Sequence, residues 1–184
     1  MDQQTFRALA LGEMDAVYRM AFHLAGHPDG AAELVQETYL RALRAEATFE
    51  LRDRGIRPWL FKILHNTFYT QVARSKREPA LAEDLSAEPA AGHPDDPPPV
   101  WDLAGLDWEY VDERLKHAID DLPPHYREVL LLWAVEGLKY REIAEVMGLP
   151  LGTVMSRLYR AREHLSGQLA DLAAEQGIAV PDCQ

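Results

Sequence analysis

The chain has 184 residues, 47% hydrophobic and 27% charged, enough for one medium domain or two small ones, and a net charge of -11. No apolar run approaches the ~20 residues that cross a bilayer. The opening MDQQTFRALALGEMDAVYR also lacks the basic start and apolar core of a secretory signal, so no membrane insertion and a cytoplasmic location are expected. The single Cys183 excludes an internal disulfide and no Cys/His cluster has zinc-ligand spacing, so neither a metal nor another cofactor is expected.

Strand-like alternation is nearly absent and no repeat of fixed period occurs, which predicts an all-α chain. Leu9, Met14, Val17, Tyr18, Ala21 and Phe22 trace the apolar stripe of a first helix. Ala31, Leu34, Val35, Thr38, Tyr39 and Ala42 trace that of a second, with Asp29 as its N-cap. Glu33, Gln36 and Glu37 project away from the second stripe, as a solvated face or as a docking surface; the residues alone leave both open. A third helix is expected from about Pro58, in a first-turn position that proline tolerates, through WLFKILHNTFYTQVARSK. There Leu60, Phe61, Leu64, Phe68 and Val72 face a core, while Trp59, Lys62, Asn66 and Tyr69 recur at i, i+3, i+7 and i+10 on another face. Rings mixed with a cation and an amide suit single-stranded nucleic acid, because a splayed base stacks on a ring while a cation holds the backbone. A lone tryptophan is more often core than platform. Here it is bracketed by Arg52, Arg54, Arg57, Arg74, Lys76 and Arg77, and residues 52 to 78 carry a net +5.

The charge then reverses. Residues 80 to 121 hold twelve Asp/Glu against Arg114 and Lys116, a net of -10. Within them EPAAGHPDDPPPVWD is proline-rich and without apolar period, so the stretch around residues 79 to 99 reads as a linker. The expected organisation is a helical module over residues 1–78, an acidic linker over 79–108, a second helical module over 109–175 and a tail over 176–184.

The second module carries the sharpest local pattern. Residues 122 to 165 contain a short helix over 140 to 147, a turn at Gly148-Leu149-Pro150, and a second helix that Pro150 opens at its first position, the arrangement of a helix-turn-helix. Val154, Leu158, Ala161 and Leu165 fall on one stripe of that second helix, to pack on Ile143, Ala144 and the 130 to 135 run. Gly152, Ser156, Tyr159, Arg160 and Glu163 lie opposite, with Met155, Arg157 and Arg162 on the flanks. A long Arg, a hydroxyl and a ring on one exposed face suit base edges in a major groove, and flanking Arg with helix N-terminal amides suit phosphates. Residues 139 to 162 hold five Lys/Arg against two Glu, a local +3 in an acidic chain. No nucleophile, metal or phosphate-loop motif supports an enzyme.

In order along the chain, VYRMAFHLAGHPDGAAELVQETYLRAL, RPWLFKILHNTFY, an acidic linker and LPPHYREVLLLWAVEGLKYREIAEVMGLPLGTVMSRLYRARE resemble an extracytoplasmic-function (ECF) sigma factor of bacterial RNA polymerase. The resemblance implies a region 2 bundle and a region 4 helix-turn-helix, no catalytic residues, and three partners: core RNA polymerase, double- and single-stranded promoter DNA, and an anti-sigma factor. It places Glu33, Gln36 and Glu37 on the polymerase clamp helices. It places the loop over 49 to 57, with Arg54, Arg57, Trp59, Lys62, Asn66, Tyr69, Arg74, Lys76 and Arg77, on the melted minus-ten element. Thr153, Met155, Ser156, Arg157, Tyr159, Arg160 and Arg162, with Tyr140 and Arg141, fall on the minus-thirty-five element. The linker corresponds to a segment that threads toward the polymerase active site, where an acidic tether mimics a transcript. HNTF…SKREP and the helix-turn-helix further resemble the subgroup paired with thiol-responsive zinc anti-sigma factors, and a stress response is implied.

Two single positions and one four-residue run depart from the family pattern. Ala32 stands where many members carry an acid, Thr70-Gln71-Val72-Ala73 replaces a commonly charged run, and Met155 stands where Lys or Arg is frequent, shifting that contact toward an apolar partner such as a thymine methyl. Two other readings stay open: a sigma-like decoy that binds an anti-sigma factor without reading DNA, and a conventional helix-turn-helix regulator. The decoy normally carries a receiver domain and a degraded recognition helix, and the regulator leaves LVQET and WLFKI unexplained.

Overall fold

A computed structural model describes residues 2–51, 55–75 and 111–175. Among them every regular element is helical: α1 (Gln3–Gly12), α2 (Met14–Ala25), α3 (Pro28–Arg44), a 3-10 turn (Glu46–Thr48), α4 (Arg57–Ser75), α5 (Glu113–Asp120), α6 (Pro124–Ala134), α7 (Tyr140–Met147), α8 (Leu151–Gln168) and α9 (Ala170–Glu175). Backbone contacts divide the chain into two compact units, Met1–Ser86 with Glu142–Leu149, and Ala87–Arg141 with Pro150–Gln184. The expected linker, the tail and Cys183 lie outside the described residues.

In the first unit α2, α3 and α4 pack on one another. Their buried side chains are Ala16, Val17, Met20 and Ala21 from α2, Ala31, Leu34 and Ala42 from α3, and Leu60, Phe61 and Leu64 from α4. Thr38 and Thr67 are also buried, each hydroxyl donating to the carbonyl four residues back, which satisfies it inside its own helix. Three expectations shift here. The single first helix is two, because the chain turns at Glu13, whose N–H bonds the Ala10 carbonyl. That turn resets the helical phase. Phe6 and Ala10 on α1 are buried, whereas Leu9, Met14, Tyr18 and Phe22 of the expected stripe are each more than a third exposed. The α3 N-cap is His27 rather than Asp29: Pro28 takes the first helical position and His27 Nδ1 accepts from the Gly30 N–H at 3.0 Å. Asp29 falls inside the first turn, where a carboxylate suits the helix dipole.

In the second unit α6 and α8 pack together, with α5 and α9 also against α8. Proline at the start of α6 presets its first turn, and Asp112 caps α5 by accepting from the Arg114 N–H at 2.8 Å. The stretch between α6 and α7 turns through Gly137 at φ +69°. At the end of α7, in the Glu142–Leu149 stretch that groups with the first unit, Gly148 adopts φ +66° and the Leu149 N–H bonds the Ala144 carbonyl, the glycine stop expected from the sequence. Pro150 is the N-cap of α8, one position earlier than expected, with extended ψ of 145°.

Candidate DNA and polymerase interfaces

The outward face of α3 is the first surface. Its heptad-like positions Glu33, Gln36, Leu40 and Leu43 fall at i, i+3, i+7 and i+10, and both leucines are exposed. Glu33, Gln36 and Glu37 line a groove of about 350 Å³ with Leu40 and Arg41 and, from α4, Gln71 and Arg74. Arg41 Nε donates to Glu37 Oε1 at 2.6 Å. That hydrogen bond, with the charges of Arg41, Arg44 and Arg74, holds the Glu37 carboxyl below its ordinary value against the opposing effect of desolvation. The result is an oriented carboxylate beside exposed leucines, a surface suited to the side of a partner helix. The sequence pattern singled out the three polar residues and missed Leu40, Leu43, Arg41 and Gln71; the i, i+3, i+7 spacing was the available signal for the leucines. Arg74, which the resemblance groups with the DNA contacts, also lines this groove.

On α4 the expected stacking face divides. Lys62 and Asn66 are exposed, and Tyr69 is half-buried with its ring 4.6 Å from His65 and 5.1 Å from Phe68. Trp59 packs among aromatic rings, 5.8 Å from Phe6 and 5.0 Å from Phe49, which are 5.6 Å from each other. Its ring is therefore a structural clasp joining α1 and the segment after α3 to the start of α4, with edge-to-face geometry that aromatic pairs favour. Arg57 Nε donates to Glu13 Oε2 at 2.6 Å, so this cation is tied to the α1–α2 corner. Arg54, Lys76 and Arg77 lie outside the described residues.

On α8, Val154, Leu158 and Ala161 are buried as the stripe requires, and Leu165 is half-buried. Gly152, Arg162 and Glu163 are exposed, while Thr153, Met155, Ser156, Arg157, Tyr159 and Arg160 are partly so. Ser156 Oγ donates to the Thr153 carbonyl at 3.0 Å, leaving its oxygen lone pairs as the outward group. Arg160 Nη1 donates to Glu163 Oε2 at 2.9 Å, and its guanidinium carbon lies 5.9 Å from the Tyr159 ring centroid. Arg162 sits over Trp133 of α6, 5.7 Å from the ring centroid, and Trp133 in turn lies 6.4 Å from Tyr140. Arg141 is exposed, but Tyr140 is only 7% exposed and stands beneath this stack rather than on the outer face. The helical period placed Tyr140 on α7 correctly and could not show that its ring meets Trp133. Among the described residues no group of His, Cys, Asp and Glu is arranged to hold a metal, and no helix is long and apolar enough to cross a membrane.

Two family descriptions match the chain in order: "Sigma-70 region 2" over residues 12–78 and "Sigma-70, region 4" over residues 112–165. The chain belongs to the ECF sigma factors of RNA polymerase. This ECF sigma factor is 33% identical over 159 residues to the ECF RNA polymerase sigma factor EcfG of Rhodopseudomonas palustris, covering 86% of this chain and 82% of that protein. It is 36% identical over 167 residues to the ECF RNA polymerase sigma factor SigE of Mycolicibacterium smegmatis, covering 88% of this chain but 60% of that longer relative. Among solved structures it is similar to the sigma factor RpoE of Bartonella quintana, determined in complex with the anti-sigma factor NepR, with a TM-score of 0.68, 29% identity and coverage of 91% of this chain and 98% of that one. The family is non-enzymatic.

Proposed function

We propose that this ECF sigma factor brings core RNA polymerase to a defined set of promoters and helps open them, working in the cytoplasm as part of a stress response. The observation that carries the reading is that one chain matches both region 2 and region 4 and exposes polar side chains on one helix of each. In it residues 1–78 bind core enzyme and the minus-ten element, 79–108 form the acidic linker, 109–175 read the minus-thirty-five element, and 176–184 are a tail. Glu33, Gln36 and Glu37 dock the polymerase, and Lys62, Asn66 and Tyr69 meet the opened strand. Thr153, Met155, Ser156, Tyr159 and Arg160 face bases of the duplex, with Arg141, Arg157 and Arg162 toward phosphates. An anti-sigma factor restrains the protein; the similarity to a sigma factor solved with its anti-sigma partner supports this, and the segments HNTF and EGLKYREIAEVMGLPLGTVMSRL favour a thiol-responsive, zinc-containing class.

Transcription reconstituted from purified core polymerase, this protein and genomic fragments tests the reading. Promoter-specific transcripts that require both proteins are expected, and Asn66→Ala should bind promoters normally yet slow permanganate-detected strand opening. Specific binding to duplex DNA without core enzyme would favour the conventional regulator, and capture of an anti-sigma factor with no transcription would favour the decoy.

A further inference from the structure

We infer that Glu163 is a specificity-determining residue of α8, holding the Arg160 guanidinium and widening its discrimination between base pairs. The inference rests on the promoter reading above and adds a residue to it. Glu163 lies on the exposed side of α8, three residues after Arg160 and away from the buried Val154, Leu158 and Ala161. Its Oε2 accepts from Arg160 Nη1 at 2.9 Å, with side-chain exposures of 43% for Arg160 and 47% for Glu163. The Tyr159 ring lies 5.9 Å from the same guanidinium. A long, rotamer-rich side chain is thus anchored from two directions while a duplex can still reach it.

Two physical effects follow from that placement. A guanidinium presents five N–H donors in a planar fork, so a carboxylate held at Nη1 constrains the direction of the whole plane. Arginine ordered before binding loses less side-chain entropy when it engages a guanine edge. The carboxylate, meanwhile, faces the phosphate field of any duplex and lowers affinity for all sequences alike. Orientation helps only where Arg160 finds its base and so raises the ratio of cognate to non-cognate binding, whereas the repulsion acts everywhere, lowering background affinity and leaving that ratio to the orientation. A purely solubilising carboxylate explains the exposure of Glu163 but not its bond to the arginine opposite the buried stripe.

The test compares wild type, Glu163→Gln, Glu163→Asp, Arg160→Ala and the Glu163→Gln/Arg160→Ala pair, each assembled with core polymerase. Binding is measured on a promoter and on every single base-pair variant of its upstream element. Arg160→Ala should reveal the position it reads through a loss of roughly 5- to 150-fold in discrimination. Glu163→Gln should raise affinity for non-cognate sequences, lower discrimination at that same position by about threefold or more, and add nothing to that ratio once Arg160 is absent. Glu163→Asp, which keeps the charge and shortens the reach, should lose discrimination without gaining non-cognate affinity. A Glu163→Gln effect equal at all sequences, or one undiminished in the Arg160→Ala background, overturns the inference and leaves the promoter reading standing. No loss of discrimination with Arg160→Ala at any position removes the base-reading assignment of Arg160 and the inference with it.

Discussion

The Tyr39 hydroxyl reaches from α3 to donate to the Ala10 carbonyl at 2.7 Å, near the end of α1. Burial first, and then the Glu13 and Asp15 carboxylates, push its pKa up to about 12, from an ordinary value of about 10. The folded chain keeps this proton where the unfolded chain releases it. Its stabilising effect is therefore whole below about pH 10 and is lost as pH rises toward 12. Alkaline unfolding followed by circular dichroism should show helix loss in that window. Tyr39→Phe should blunt the step and cost ~0.5–1.5 kcal/mol at neutral pH; an unchanged profile would remove the hydroxyl from this account. On α8, the Arg162 stack makes a second prediction. An exposed cation over the half-buried Trp133 ring is worth ~0.5–1 kcal/mol, so Trp133→Leu should weaken holoenzyme binding to the upstream element by about two- to fivefold. If Arg162→Ala weakens binding and Trp133→Leu does not, the ring does not position that arginine.

Among the elements, α3 carries both a fold requirement and a binding face. Its start depends on the His27 ring accepting from the Gly30 N–H, and a Cβ added at Gly30 would lie 2.6 Å from His27 Cε1 and 3.2 Å from the Ala25 Cβ. Gly30→Ala should displace the ring and lose the cap, costing about 1 kcal/mol net of any gain in helix propensity. Denaturant unfolding would measure it, and a more stable variant would show that the ring moves aside freely. The outward face behaves differently. Leu40 and Leu43 are exposed, so replacing both with Ser should leave stability within about 0.5 kcal/mol while reducing core polymerase binding at least tenfold. Co-purification with core enzyme at wild-type levels would confine the interface to the polar residues of the same helix.

At the scale of the whole molecule, charge is the organising quantity. The net -11 coexists with a local +3 over residues 139 to 162. Residues 80 to 111 contain eight carboxylates and neither Lys nor Arg. An acidic stretch of that charge is expected to compete with phosphates for basic surfaces in the free protein. Replacing the eight with their amides should raise non-specific DNA binding by the free chain and steepen its salt dependence, as more protein cations then engage phosphate. Filter binding across a salt series measures both slope and affinity. An unchanged slope and affinity would show that the linker charge does not screen the DNA-binding surfaces.

The helical class, the courses of α3, α4 and α7, and the family are all readable from the amino-acid order. Within one helix the apolar period stays in phase, and its ends carry chemical marks such as Pro58 near the start of α4 and Gly148, at φ +66°, after α7. The motif order LVQET, WLFKI and EIAEVMGLPLGTVMSRL was legible for the same reason, being local. Long-range partners are set by how the helices pack. That packing brings Trp59 to Phe6 and Phe49, Arg57 to Glu13 across 44 residues, Arg74 to the α3 groove, and Tyr140 to Trp133. A helical period reports which side of a helix faces inward, but the partner on that side depends on how separate helices pack, and the turn at Glu13 shows the limit. The bend puts Leu9 on α1, apart from the rest of that stripe, while Met14, Tyr18 and Phe22 lie along one flank of α2 beside the buried Val17 and Ala21, so that α2 turns only part of its apolar surface inward.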